Sequence, residues 1–395
     1  MIVKPKVRGF ICTTAHPTGC AGNVRLQAEY VKKRNPIGGP GRVLVIGSST
    51  GYGLACRIAA TLGCDADTVG VFFEKPPSGS RTATAGWYNN RAFEALAAEA
   101  GRAAYSINGD AYSREVKEEA LSLIKKLPGG QVDLVIYSLA APRRTDCETG
   151  RVCNSVIKPL GEVFRGKTVD VHTGAVTNAE IQPATPQEVE DTVAVMGGED
   201  WLRWIRLLQE GGALAPGAAT IAFSYIGPTQ THAIYKNGTI GRAKEDLEAK
   251  AEEITRLLSP QGGRAFVSVN KALVTQASAA IPVVPLYISL LYKVMKARGV
   301  HEGCIQQMDR MLRRLYPEAA GNGWDSVPVD EGGRIRMDDW EMEPAVQQEV
   351  QAMWKDVSSD NIRDLGDLDG YLEDFYQLFG FRVPGVDYGE DVELG

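Results

Sequence analysis

Tyr235 and Lys244 form a Tyr-x8-Lys pair, and Tyr225 lies ten positions before the first of them. A phenol can hydrogen-bond an oxyanion or give up a proton, and an ammonium beside it makes it more acidic. Far upstream, Gly47-Ser48-Ser49-Thr50-Gly51-Tyr52-Gly53 follows the apolar run Arg42–Ile46. Glycines at such a junction let the backbone turn tightly and approach a pyrophosphate. The unpaired N–H groups that open the next helix favour its charge. Together the two motifs predict proton delivery beside a bound dinucleotide.

Geometry limits how Tyr235 and Lys244 can meet. At roughly 100° per residue, nine residues along one helix put two side chains on opposite faces. Asn237-Gly238 is a turn signal. It predicts Tyr235 in a loop and Lys244 in the first turns of a helix from about Gly241 to Leu258, with Thr239 as N-cap. Ordinary short-chain dehydrogenases keep tyrosine and lysine four apart on one helix face. The longer spacing moves the tyrosine outward and predicts room for a bulkier, longer substrate.

Both motifs need a frame. Arg42–Ile46, Thr68–Phe73, Ala103–Ile107, Val132–Tyr137 and Ala219–Ser224 are short apolar runs that read as buried parallel strands. Leu54–Leu62 reads as a helix between the first two. The pattern predicts an α/β fold, a Rossmann-type doubly wound parallel sheet. Ligands in such sheets bind at the carboxyl ends of the strands, where Phe73-Glu74, Asp110-Ala111, Leu139-Ala140 and Tyr225 all fall. An acidic residue about 20 positions beyond the glycines holds the adenosine ribose hydroxyls and repels a 2′-phosphate. Glu74 therefore favours NADH over NADPH, although Lys75 and Arg81 nearby soften the preference. Asp110 is placed to meet the adenine amine.

At these residues the chain resembles the trans-2-enoyl-CoA reductase and V-type enoyl-ACP reductase family. The likeness runs from Met1-Ile2-Val3-Lys4-Pro5 to about Tyr388. It includes the glycine run, Gly86-Trp87-Tyr88-Asn89-Asn90, Val195–Trp201, Ser224–Pro228, Leu273-Val274-Thr275 and Ile281–Tyr287. The resemblance implies an enlarged short-chain-dehydrogenase-like fold. It implies NADH-dependent reduction of the 2,3 double bond of enoyl thioesters, on coenzyme A or acyl carrier protein, in fatty acid synthesis. It assigns the proton donor to Tyr235, the cofactor-binding lysine to Lys244 and substrate contact to Tyr225. Cofactor contacts fall on Gly47, Ser48, Ser49, Thr50, Gly51, Tyr52, Phe73, Glu74, Asp110, Ala111, Leu139, Ala140, Leu273, Val274 and Thr275. In that chemistry hydride reaches the β-carbon and charge builds on the thioester oxygen, where a tyrosine hydroxyl can hold the enolate. Two alternatives remain open: an NAD(P)H-dependent carbonyl reductase, and a non-catalytic NAD(H)-binding protein.

The 395 residues, 44% of them hydrophobic, can bury a large core. No Ser/Gly tract, charge block or repeat marks a linker. One enlarged domain is expected, with residues 1–40 as an added arm and 147–183 as an insertion whose Lys167–Thr177 reads as a hairpin. A net charge of −6 with both signs interspersed argues against nucleic-acid binding. No apolar run reaches the roughly 20 residues of a membrane span, and no signal h-region opens the chain. Seven cysteines without a compact pattern predict reduced thiols in a cytoplasmic protein, monomer or homodimer. Cys12-x3-His16-x3-Cys20 offers three ligands where a structural zinc site needs four, so no metal is expected. Ile281–Lys296 reads equally as a core helix and as a wall over an acyl chain. Arg334–Trp340, with its alternating charges, reads as surface.

Overall fold

Seven parallel strands form the central sheet of the computed structural model, which describes residues 1–317 and 323–395. In chain order they are β1 (Arg42–Ile46), β2 (Asp67–Phe72), β3 (Ala104–Asn108), β4 (Val132–Tyr137), β5 (Leu214–Ser224), β6 (Arg264–Val269) and β7 (Ile335–Arg336). Their spatial order is β7-β6-β5-β4-β1-β2-β3. Every neighbouring pair is parallel. The strands are almost wholly apolar because helices cover both faces. The winding reverses between β1 and β4, which leaves a crevice at their carboxyl ends.

One face packs against helices Gly51–Gly63, Ala85–Glu99 and Cys304–Leu315. The other packs against Arg114–Ile124, Glu199–Glu210 and Thr239–Leu258. A third apolar cluster is built on helix Val284–Ala297, with helices Pro344–Asp356 and Leu368–Gln377 against it. That cluster reaches the crevice through Ala272, Leu273, Ile281 and Val284.

Several expectations change in detail. The N-terminal 40 residues are more than an arm: helix Pro17–Lys32 buries Val24, Ala28 and Val31 in the same cluster as Gly51–Gly63. His16 caps that helix, its Nδ1 accepting the Gly19 N–H at 3.1 Å. β5 starts five residues before Ala219, and its register on β4 shifts between Leu214 and Ala219. The insertion hairpin pairs Phe164–Asp170 with Ala175–Ile181. A second ribbon, Arg143–Thr145 with Val152–Asn154, begins before residue 147. Thr239 is the first residue of its helix and Gly238 the N-cap. The Thr239 hydroxyl instead donates to Val156 O at 2.5 Å, tying the helix to the insertion.

Arg334–Trp340 is surface only in part: Trp340 is exposed, while the middle of the run is buried. Ile335 and Arg336 form the edge strand β7, and Ile335, Met337 and Asp338 are fully buried. Their charges are paired. Arg336 grips Asp338 at 2.7 Å, and Asp339 takes Arg310 at 2.8 Å and Arg314 at 2.5 Å from the neighbouring helix. Paired charges can be buried where isolated ones cannot.

Candidate active site

The glycine turn is enforced by close backbone approach. Gly47 has φ +87°, and a Cβ there would stand 2.3 Å from Ser138 O. A Cβ on Gly53 would stand 1.9 Å from Gly47 O. The helix that starts at Gly51 can therefore press onto β1 and aim its free N–H groups into the crevice.

Two adjoining cavities follow the crevice. One, of about 630 Å3, lies over the ends of β1, β2 and β3. Gly47, Ser49, Thr50, Gly51, Tyr52, Phe73, Glu74, Asp110 and Ala111 line it. The other, of about 530 Å3, lies over β4, β5 and β6 and holds Tyr225, Tyr235, Lys244 and Leu273. Leu139, Ala140 and Thr275 border both, so the two are one continuous groove. Ser48 and Val274 are not on its wall. Ser48 N and Oγ both engage Val71 O, at 3.0 and 3.3 Å, because the parallel pairing of β1 with β2 ends there. Val274 turns into the third cluster.

Glu74 is held in place. Its Oε1 accepts the Ser49 hydroxyl at 2.7 Å, and its backbone exchanges two 2.9 Å hydrogen bonds with the Asn108 side chain. Asn89 fixes Ser49 through its carbonyl at 3.1 Å. Removing the carboxylate should relax cofactor choice. For Glu74→Ala we expect the NADPH-to-NADH ratio of kcat/KM to rise about tenfold, the worth of roughly 1.4 kcal/mol of lost like-charge repulsion. An unchanged ratio would mean that Glu74 does not read the ribose.

At the other end the tyrosines meet. The rings of Tyr225 and Tyr235 pack edge to face, 5.0 Å between centroids. Tyr235 lies between the Thr229–His232 turn and the Thr239–Leu258 helix. Lys244 is the sixth residue of that helix and donates to Phe223 O at 2.8 Å. Two of its three N–H donors remain for a ligand. Burial brings the Lys244 ammonium down to about 8. Burial also raises the Tyr235 phenol, so it is protonated at neutral pH. Among the described residues no protein group bonds the Tyr235 hydroxyl.

Behind Tyr225 stands a group that sequence reasoning missed. Glu341 Oε1 is 3.2 Å from the Tyr225 hydroxyl and accepts the Tyr287 hydroxyl at 2.7 Å. Its Oε2 accepts the Ala272 N–H at 2.7 Å. Burial pushes this carboxyl up to about 7, against the pull of Lys271. No local pattern marks Glu341, since its partner lies 116 residues away. Two further polar groups on the cavity wall, Ser224 Oγ and Asn270 Nδ2, are buried without a partner among the described residues.

A glycine turn on a doubly wound sheet, joined by one groove to a tyrosine–lysine pair, defines a dinucleotide-dependent reductase of the short-chain-dehydrogenase-like class. The model of the trans-2-enoyl-CoA reductase catalytic region matches residues 81–316, and that of its NAD(P)H binding domain residues 2–79. The chain belongs to the trans-2-enoyl-CoA reductase family. It is 58% identical over 392 residues to an enoyl-[acyl-carrier-protein] reductase [NADH] of Flavobacterium johnsoniae, covering 99% of this chain and 97% of that one. The Coxiella burnetii enzyme of the same name is 56% identical over 397 residues, covering 100% and 96%. The crystal structure of Clostridium acetobutulicum trans-2-enoyl-CoA reductase in complex with NADH superposes with a TM-score of 0.95, at 44% identity over 100% of this chain and 98% of that one. The Treponema denticola reductase in complex with NAD gives 0.93 at 49% identity, over 99% and 98%.

A third match, residues 329–392, carries the description enoyl reductase FAD binding domain. Its residues do not fit a flavin. Val346, Val350, Tyr371 and Phe375 are buried against Val284–Ala297, and no residue of the segment lines either cavity. The segment places Glu341 beside Tyr225.

Proposed function

We propose that this chain reduces the 2,3 double bond of trans-2-enoyl thioesters with NADH, giving the saturated acyl thioester. The observation that carries the reading is the pair of phenols, Tyr225 and Tyr235, closing one end of the dinucleotide groove. When bound, NADH supplies the hydride, which adds to the β-carbon. The Tyr225 hydroxyl hydrogen-bonds the thioester oxygen, where charge develops as the double-bond electrons shift toward it. Tyr235 gives the proton that the α-carbon takes up. Lys244 binds the nicotinamide ribose or phosphates, and its charge holds the Tyr235 phenolate until solvent returns the proton. Ile240, Leu247, Ile281 and Val284 make the cavity wall apolar, as an acyl chain requires.

We assign the cofactor contacts to the groove-lining residues named from the sequence, with Ser48 and Val274, which lie off the wall, supporting it from behind. The whole chain works as one enlarged reductase unit. In support, the one sheet draws β1 and β2, then β3–β6, then β7 from the three matched segments. No helix among the described residues is long and apolar enough to cross a membrane. We place the protein in the cytoplasm, which its seven unpaired thiols support, and take it as a monomer or homodimer.

The test is NADH oxidation with crotonyl-CoA, run beside crotonyl acyl carrier protein. Turnover of either thioester is expected, and the ratio of efficiencies assigns the carrier. Turnover of a ketone alone would favour a carbonyl reductase. Tight NADH binding with no turnover would favour a silent binding protein.

A further inference from the structure

Tyr225 has one proton and two claimants. Its hydroxyl faces the groove, where the thioester oxygen wants a donor, and it also lies 3.2 Å from Glu341 Oε1. A tyrosine hydroxyl cannot donate to both. The hydrogen bonds around Glu341 decide between them. The Ala272 N–H can only donate, so Oε2 is an acceptor, and any carboxyl proton must sit on Oε1. Gln347 Nε2 donates to the Tyr287 hydroxyl at 3.0 Å, which directs the Tyr287 proton to Oε1 at 2.7 Å. With Oε1 protonated the chain runs one way: Gln347 to Tyr287, Tyr287 to Glu341, Glu341 to Tyr225, and Tyr225 to the substrate. With Glu341 ionised, Tyr225 turns its proton back to the carboxylate and the thioester oxygen loses its donor.

We propose that Glu341 is a positioning residue whose neutral form frees the Tyr225 hydroxyl proton for the thioester oxygen, and whose ionised form withdraws it. This rests on the enoyl reductase reading and adds a proton switch to it. The carboxyl titrates at about 7 in the folded protein, raised by burial, so the productive form holds below that pH and is lost above it. The groups that face it are the hydroxyls of Tyr225, Tyr287 and Tyr52, the Lys271 ammonium and Asp338 on its own segment. Lys271 favours the ionised form, while Asp338 opposes it. Arg336 neutralises Asp338 at 2.7 Å.

The experiment is the pH profile of kcat/KM for an enoyl thioester at saturating NADH. Wild-type efficiency should fall about 100-fold at most as pH rises through the window, the cost of one hydrogen bond to developing charge. Glu341→Gln donates at every pH, its amide N–H replacing the carboxyl proton, so the fall through about pH 7 should vanish and only the later one set by Lys244 near 8 should remain. Tyr225→Phe should be slow and should likewise keep only the Lys244 fall. Tyr287→Phe removes a donor that stabilises the carboxylate, so the fall should move to higher pH. An E341Q profile that keeps the wild-type fall would overturn the proposal. So would an unmoved fall in Y287F, which keeps the question open to decision even if E341Q does not fold. Absence of enoyl turnover at any pH in the wild type is a different failure, that of the reductase reading itself.

Discussion

Tyr235→Phe should fold, bind NADH as the parent does and lose most of its turnover, about 100- to 10,000-fold in kcat, the range for removing a positioned proton donor. The loss is separable from structure because the Tyr235 hydroxyl engages no protein group among the described residues. Phenylalanine keeps the edge-to-face packing on Tyr225 at 5.0 Å. The substitution thus removes one O–H and leaves the ring. Single-turnover NADH oxidation, with NADH affinity and melting temperature measured on the same sample, checks it. A near-wild-type rate would take Tyr235 out of the mechanism.

Lys244→Met should be almost as severe, about 100- to 1,000-fold in kcat/KM, the scale for losing one preorganised charge or donor at a developing anion. Methionine preserves the apolar stem and leaves Phe223 O without its 2.8 Å donor, a stability cost of about 1 kcal/mol. The larger part is electrostatic. The folded-state value of about 8 is depressed from an ordinary 10.5. Between those values the unfolded chain holds a proton that the folded chain has released, so stability rises with pH through that window. Below it both states are protonated, and the folded state carries the full cost of a buried charge. NADH affinity should run the opposite way, weakening above about pH 8 as the ammonium is lost. In K244M the NADH slope should flatten and the stability slope should shrink to the part that buried Lys271 contributes in the same window, as measured by NADH titration and chemical denaturation across pH. A wild-type slope in the variant would assign the titration to another group.

These residues were legible because their signals are local. A strand, a glycine turn and a helix start lie within about 20 positions, and the Asn237-Gly238 turn resolves how Tyr235 and Lys244 share one cleft. Residues assembled by distant pairing were not legible. Glu341 meets Tyr225 only because β7 lays its segment beside β6, and nothing near Glu341 in the sequence announces that pairing. Arg334–Trp340 misled for the same reason. Alternating charge reads as wet until arginines from Cys304–Leu315 come to neutralise it. Ser48 sits between cavity-lining neighbours yet faces inward, a detail fixed by the end of the β1–β2 pairing at Val71.

β7 has a second consequence, in solubility. An open parallel sheet ends in a row of unpaired N–H and C=O groups that invites another chain to add on. β6, Arg-Ala-Phe-Val-Ser-Val, is an apolar strand of the kind that self-associates. Two residues of β7, flanked by Arg334 and Asp338, cover the end of it at Ser268 and Val269. During synthesis about 65 further residues must emerge between β6 and its cover. The double variant Arg336→Val, Asp338→Val would trade that guarded margin for a sticky one. Its expected phenotype is particulate material during refolding, seen by light scattering, while whatever stays in solution still takes up NADH.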